Sequence, residues 1–185
     1  MDYTKDLLIK KAYAKPSLRQ NIVNKGMICL YCDYSGFAVQ NNYGIACCFV
    51  YNRTINVTSQ KLQMEQDEGS NYGELQAILY SLEILAKALT EHQPKIAIIY
   101  TDCSSIAKIL SRPYISHHYY EHARYEISAS INHLKNRFPD VEVRVKYMSN
   151  HKKNNALHRL AHNAAREAAQ TVDFSRFAIR KSAQL

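Results

Sequence analysis

The chain has no apolar run approaching the roughly 20 residues that a membrane span requires, and no charged start leads into an apolar core of the secretory kind. It shows no internal repeat and no low-complexity linker at which to divide it. Acid is the scarcer charge, with 16 Asp and Glu against 24 Lys and Arg, a formal net charge of +8. Together these features predict a cytoplasmic protein with no membrane partner. The excess of base favours polyanions, most simply nucleic acid. The five cysteines are an odd number, and Cys29, Cys32, Cys47 and Cys48 fall in predicted strands as small apolar residues would. Cys29 and Cys32 have CxxC spacing, but residues three apart on a strand face opposite sides. They read as core thiols rather than as a zinc or redox pair.

With 185 residues, 46% of them hydrophobic, the chain is long enough for one domain with a substantial core. Its predicted organisation is a basic N-terminal extension over residues 1–25, a single domain over 26–172 and a tail over 173–185. Lys5, Lys10, Lys11, Lys15, Arg19 and Lys25 surround the short apolar patch Leu7-Leu8-Ile9. That segment reads either as a loosely ordered arm or as a basic tether that touches nucleic acid.

Strand patterns run from Met27 to Tyr34, Gly44 to Tyr51 and Ile55 to Leu62, and their short connections imply an antiparallel meander. Apolar residues three and four apart then predict a helix over Asn71 to Leu89, with Ser70 or Asn71 as its cap. Lys95 to Tyr100 reads as a central strand, followed by a short helix through Leu110 and a longer one over Ser116 to Arg137. Val141 to Met148 alternates as a half-buried strand, and a last helix begins near Asn154. The order βββαβα(α)βα predicts one α/β domain, a mixed sheet with helices on its faces, and sites collect at strand ends in such a sheet.

Three acids interrupt or adjoin these apolar runs. Asp33 lies at the end of Met27-Ile28-Cys29-Leu30-Tyr31-Cys32, Glu74 begins Glu74-Leu75-Gln76-Ala77-Ile78-Leu79, and Asp102 follows Lys95-Ile96-Ala97-Ile98-Ile99-Tyr100-Thr101. A carboxylate in or beside a buried segment is costly unless a cation or a hydrogen-bond donor meets it. Clustered acids are how a protein seats a hard divalent cation. With His158, they are expected to open toward one cleft.

The segments Cys32-Asp33-Tyr34-Ser35, Ser70-Asn71-Tyr72-Gly73-Glu74-Leu75-Gln76-Ala77 and Tyr100-Thr101-Asp102-Cys103, followed by His151 and Asn154, resemble in order and placement the motifs of type 1 ribonuclease H. The resemblance spans roughly residues 27–170. It implies the ribonuclease H-like fold, a five-stranded mixed sheet of three antiparallel strands and then two parallel ones, flanked by helices. It also implies an endonuclease that hydrolyses the RNA strand of RNA–DNA hybrids by a two-metal-ion mechanism. Two divalent cations, Mg²⁺ or Mn²⁺, would be held by Asp33, Glu74, Asp102 and a fourth ligand from the last helix. Asn71 is similar to the residue that reads a 2′-hydroxyl, although its position equally suits a helix cap. His151 matches a mobile-loop histidine that assists proton transfer or product release. Ser35, Ser104 and Asn154, within or beside these motifs, are the remaining substrate-binding candidates.

The pattern departs at the fourth ligand, where the family has Asp and this chain has His158. An imidazole is a softer ligand than a carboxylate and favours Mn²⁺ over Mg²⁺. Some Holliday-junction resolvases of the same superfamily are similar in carrying histidine there, so a resolvase-like DNA endonuclease stays open beside the hybrid-cutting enzyme. Tyr34 replaces a small residue, often Gly. The segment Pro113 to Arg124, where some relatives carry a basic protrusion, is rich in His and Tyr. His118 and His122 share a helical face and read as helix surface. With those departures, a non-catalytic module that binds nucleic acid is the third reading.

Overall fold

The apolar run from Met27 forms β1 (Met27–Phe37), the central strand of a five-stranded sheet in the computed structural model, which describes residues 3–64, 67–149 and 154–171. On one side of β1 lie β2 (Asn42–Tyr51) and β3 (Thr54–Leu62), each antiparallel to its neighbour. On the other lie β4 (Ile96–Thr101) and β5 (Glu142–Tyr147), in parallel register. The order is β3-β2-β1-β4-β5, the mixed sheet expected from the sequence. No helix among the described residues is long and apolar enough to cross a membrane.

The alternation along β1 sorts the core into two layers. Ile28, Leu30 and Cys32 face α3 (Ser70–Glu91) and α5 (His118–Arg137), with Leu75, Ile78, Leu85 and Ile127 filling that side. Cys29 and Tyr31 belong to the opposite layer with α6 (Ala156–Gln170). Cys29 and Cys32 therefore sit in different layers, and burial pushes the Cys29 thiol up to about 12. Between β4 and α5 runs the short α4 (Ile106–Ser111).

α6 lies close against β2 where its buried face is alanine, at Ala161, Ala165, Ala168 and Ala169. A Cβ on Gly44 of β2 would come within 2.2 Å of the Ala165 carbonyl oxygen and 2.6 Å of the Ala169 nitrogen, so only glycine allows this approach. Residue size thus sets how deeply α6 reaches over β1.

Three expectations change. The N-terminal segment is no loose arm: α1 (Tyr3–Ala14) docks on α6 and α2 (Pro16–Val23) on β1 and β2, burying Ala12, Leu18 and Ile22. The Asn21 side-chain amide donates to the buried Tyr31 hydroxyl at 3.0 Å, and the Arg53 amide donates to the Ile22 carbonyl at 2.6 Å. Leu18 and Ile22, four apart on one helical face, find an apolar partner that only the folded sheet provides. β1 also runs past Tyr34 to Phe37, pairing Ser35 with Gly44 and Phe37 with Asn42, where a loop is expected. Tyr34 stacks on Tyr43 with ring centroids 6.2 Å apart, which adds a cross-strand pair to that extension. Lastly, α3 begins at Ser70 with Gly69 as its cap, so neither Ser70 nor Asn71 caps it.

Candidate metal centre

Asp33 lies on β1 in the same parity as Cys29 and Tyr31, so its side chain meets α6. There His158 Nε2 stands 3.1 Å from Asp33 Oδ1, and His162 Nδ1 stands 2.8 Å from Asp33 Oδ2. Both oxygens of one carboxylate thus face imidazoles from successive turns of one helix. Burial alone would raise the Asp33 pKa, but the hydrogen bonds and charges of His158 and His162 outweigh it and hold the group below its ordinary value. The same contact raises the pKa of His162.

α6 is fixed at its start by Asn155, whose side-chain oxygen accepts from the Leu157 and His158 amides, each at 3.1 Å. This cap satisfies two otherwise orphaned donors and holds the first turn, where His158 sits. Asp102 enters from the end of β4, directly after Thr101, whose hydroxyl accepts from the Cys103 amide at 3.1 Å. One donor atom each from Asp33, Asp102 and His158 lies within 4.8 Å of the others.

Glu74 comes from the first turns of α3, from the other layer. It is 7% exposed, and its Oε2 has no hydrogen-bond partner. Burial and then the charges of Asp33 and Asp102 push its pKa well above the ordinary carboxylate range. Three carboxylates and an imidazole converge here, with a buried oxygen left unsatisfied. Such a donor set fits a divalent cation, which would supply the missing partner and offset the repulsion.

The remaining sequence candidates surround this cluster. Asn71 is exposed at the start of α3, where its side-chain oxygen lies 3.8 Å from Cys103 Sγ. Ser35 is half-buried on β1, two residues beyond Asp33, and Ser104 is exposed in the turn after Asp102. Asn154 is exposed just before α6, and its carbonyl oxygen accepts from Lys15 Nζ at 3.4 Å. His151 lies outside the described residues. Tyr34 is accommodated by Gly73, where a Cβ would stand 2.4 Å from its ring. His122 pairs with Glu126 at 3.5 Å on the surface of α5, and the His118 ring packs edge-on to Tyr119, so neither joins the cluster. His162 is the residue that sequence reasoning misses. Its signal is present, since it stands four residues after His158 and so shares its helical face.

No protein-family model and no curated protein sequence matches the chain. Solved structures do. The chain resembles ribonuclease H1 from the halophilic archaeon Halobacterium salinarum, with a TM-score of 0.57 and 14% identity over 77% of this chain and 97% of that one. It also resembles the compost-derived LC11 ribonuclease H1 in complex with an RNA/DNA hybrid, with a TM-score of 0.53 and 17% identity over 76% and 98% of the two chains. A third likeness is to the foamy viral protease-reverse transcriptase in complex with dsDNA, with a TM-score of 0.54 and 20% identity over 82% and 98%. The chain has the ribonuclease H-like fold.

Proposed function

We propose that this chain is a metal-dependent endonuclease of the ribonuclease H type, hydrolysing the RNA strand of RNA–DNA hybrids by a two-metal-ion mechanism. One observation carries the reading. The buried, unpartnered Glu74 Oε2 belongs to a carboxyl that feels the charges of Asp33 and Asp102, and those two acids group with His158, an arrangement that is unfavourable until a cation binds. Divalent ions held by Asp33, Glu74, Asp102 and His158 would polarise the phosphodiester and lower the pKa of the attacking water.

The other tasks belong to the chain itself. Asp33 is the central acid, oriented at both oxygens by α6. Arg159 and Arg166 lie close enough to His162 for their charges to bear on it, so a cationic rim borders the cluster and suits backbone phosphates. A groove of about 500 Å³ between α1 and the start of α6 continues that rim, lined by Lys11, Asn155, Arg159 and Asn163. Asn71, exposed and not a helix cap, is assigned to reading the 2′-hydroxyl. Ser35, Ser104 and Asn154 are assigned to substrate contacts and His151 to proton transfer or product release. The imidazole of His158 supports a preference for Mn²⁺ over Mg²⁺.

His158 also favours a second reading, since it is built into the cluster beside Asp33 rather than displaced from it. That reading is a resolvase-like DNA endonuclease. The test is incubation of the protein with labelled RNA–DNA hybrid, DNA duplex, single-stranded RNA and a four-way junction, in Mg²⁺ or Mn²⁺. Hybrid is expected to be cut, faster in Mn²⁺, and Asp102→Asn is expected to slow cutting by at least about a hundredfold. Cutting of the junction alone selects the resolvase reading, and binding without cutting of any substrate refutes both.

A further inference from the structure

The sequence motifs assign one side chain of the last helix to the metal site, yet the structure aims two at Asp33. His158 meets Oδ1, and His162, one turn later, meets Oδ2. We propose that His162 is a metal ligand, binding an ion on the Oδ2 side of Asp33, so that α6 supplies two imidazole nitrogens to the centre. The inference rests on the metal-dependent reading of the site.

The geometry supports it in three ways. First, two ligands at right angles on an octahedral ion, each about 2.1 Å from it, stand about 3.0 Å apart. The separations at Asp33 are 3.1 Å to His158 and 2.8 Å to His162. Both match such ligand edges without movement of either helix or strand. Second, Asp33, Asp102 and His158 bring donor atoms within 4.8 Å of one another, and His162 meets the oxygen of Asp33 that His158 leaves free. The shared carboxylate thus presents one oxygen toward each imidazole. Third, the two rings differ in access. The His158 side chain is 9% exposed and the His162 side chain 40%, so the His162 side of Asp33 is open to solvent and to an arriving substrate.

A donor set of carboxylates with two neutral imidazoles has a chemical consequence. Mg²⁺ prefers oxygen donors and sheds water reluctantly, whereas Mn²⁺ and its neighbours in the first row accept nitrogen. His162 adds a donor without adding negative charge, and so shifts selection further from Mg²⁺ than His158 does alone.

The competing role is a positioning one, in which His162 only hydrogen-bonds Asp33. Loss of affinity does not separate the two, because removing an outer hydrogen-bond partner also weakens metal binding by about 10- to 100-fold. Counting coordinated nitrogens does separate them. The full chain, stripped with chelator and reloaded with Mn²⁺ alone, is examined by electron spin-echo envelope modulation, which detects imidazole nitrogen bound to Mn²⁺. Two nitrogen-bearing Mn²⁺ ions per chain are expected in the unaltered protein, one in His162→Gln and one in His158→Gln. His162→Asp is expected to retain metal and to narrow the gap between Mn²⁺ and Mg²⁺ affinities. A single nitrogen-bearing ion per unaltered chain overturns the proposal whether or not the variants fold, as does a spectrum unchanged by His162→Gln. Two nitrogen-bearing ions in a chain that cuts no nucleic acid uphold the ligand and refute the nuclease. One nitrogen-bearing ion in a chain that cuts hybrid does the reverse.

Discussion

At the scale of single residues, the site is an arrangement of opposed costs. Asp33 is buried but hydrogen-bonded at both oxygens, and its pKa falls; Glu74 is buried with an orphaned oxygen beside two other acids, and its pKa rises. The sign for Glu74 follows from linkage. A carboxyl whose folded pKa is raised above 4.5 contributes fully to stability below that value. The contribution is lost as pH rises toward the folded pKa. The metal-free protein is therefore expected to lose stability as pH climbs from 4.5. In chelator at pH 7.5, Glu74→Gln is expected to stabilise it, because the amide removes a buried charge that Asp33 and Asp102 repel. Urea unfolding across pH checks this, and an equal or lower midpoint in Glu74→Gln counts against it. With Mn²⁺ present the order should invert, because the variant loses a ligand while the parent gains stability from binding.

At the scale of elements, the position of α6 over β1 decides whether Asp33 meets any histidine. That position depends on Gly44 and the alanines opposite it. Gly44→Ala would drive a methyl group against the backbone of α6, with an expected loss of about 1–3 kcal/mol as overpacking. Because α6 carries His158 and His162, Mn²⁺ affinity is expected to fall in the same variant, although Gly44 touches neither. Calorimetric titration with Mn²⁺ checks this, and unchanged affinity would show that α6 is held by its Asn155 cap and not by the glycine. Helix and strand periods are legible in the sequence, as are the CxxC faces and the order of the acids. The reach of one helix across the sheet is not, because it depends on a contact between residues more than a hundred positions apart.

At the scale of the whole molecule, α1 and α2 join the domain's own core. Leu18 and Ile22 are buried in the same layer as Tyr31 and Leu157. Ile22→Ala is expected to cost about 2–5 kcal/mol, the range for truncating a buried aliphatic. A chain lacking residues 1–25 should then lose stability as well as affinity for nucleic acid. Denaturation midpoints distinguish this from a tether, whose removal would leave the domain as stable as before. The lysines of these helices stay outside, so the segment is both part of the core and part of the basic surface.

The amino-acid sequence by itself determined the strand and helix periods, the order of Asp33, Glu74, Asp102 and His158, and the basic balance, because each is a local or additive property of the chain. Only the tertiary structure decided which face of β1 the central acid occupies opposite α6, that His162 reaches it, and that residues 3–23 close one side of the core. Those outcomes depend on packing between distant segments. Small differences in side-chain volume, a glycine here and an alanine there, decide which groups come within hydrogen-bond distance.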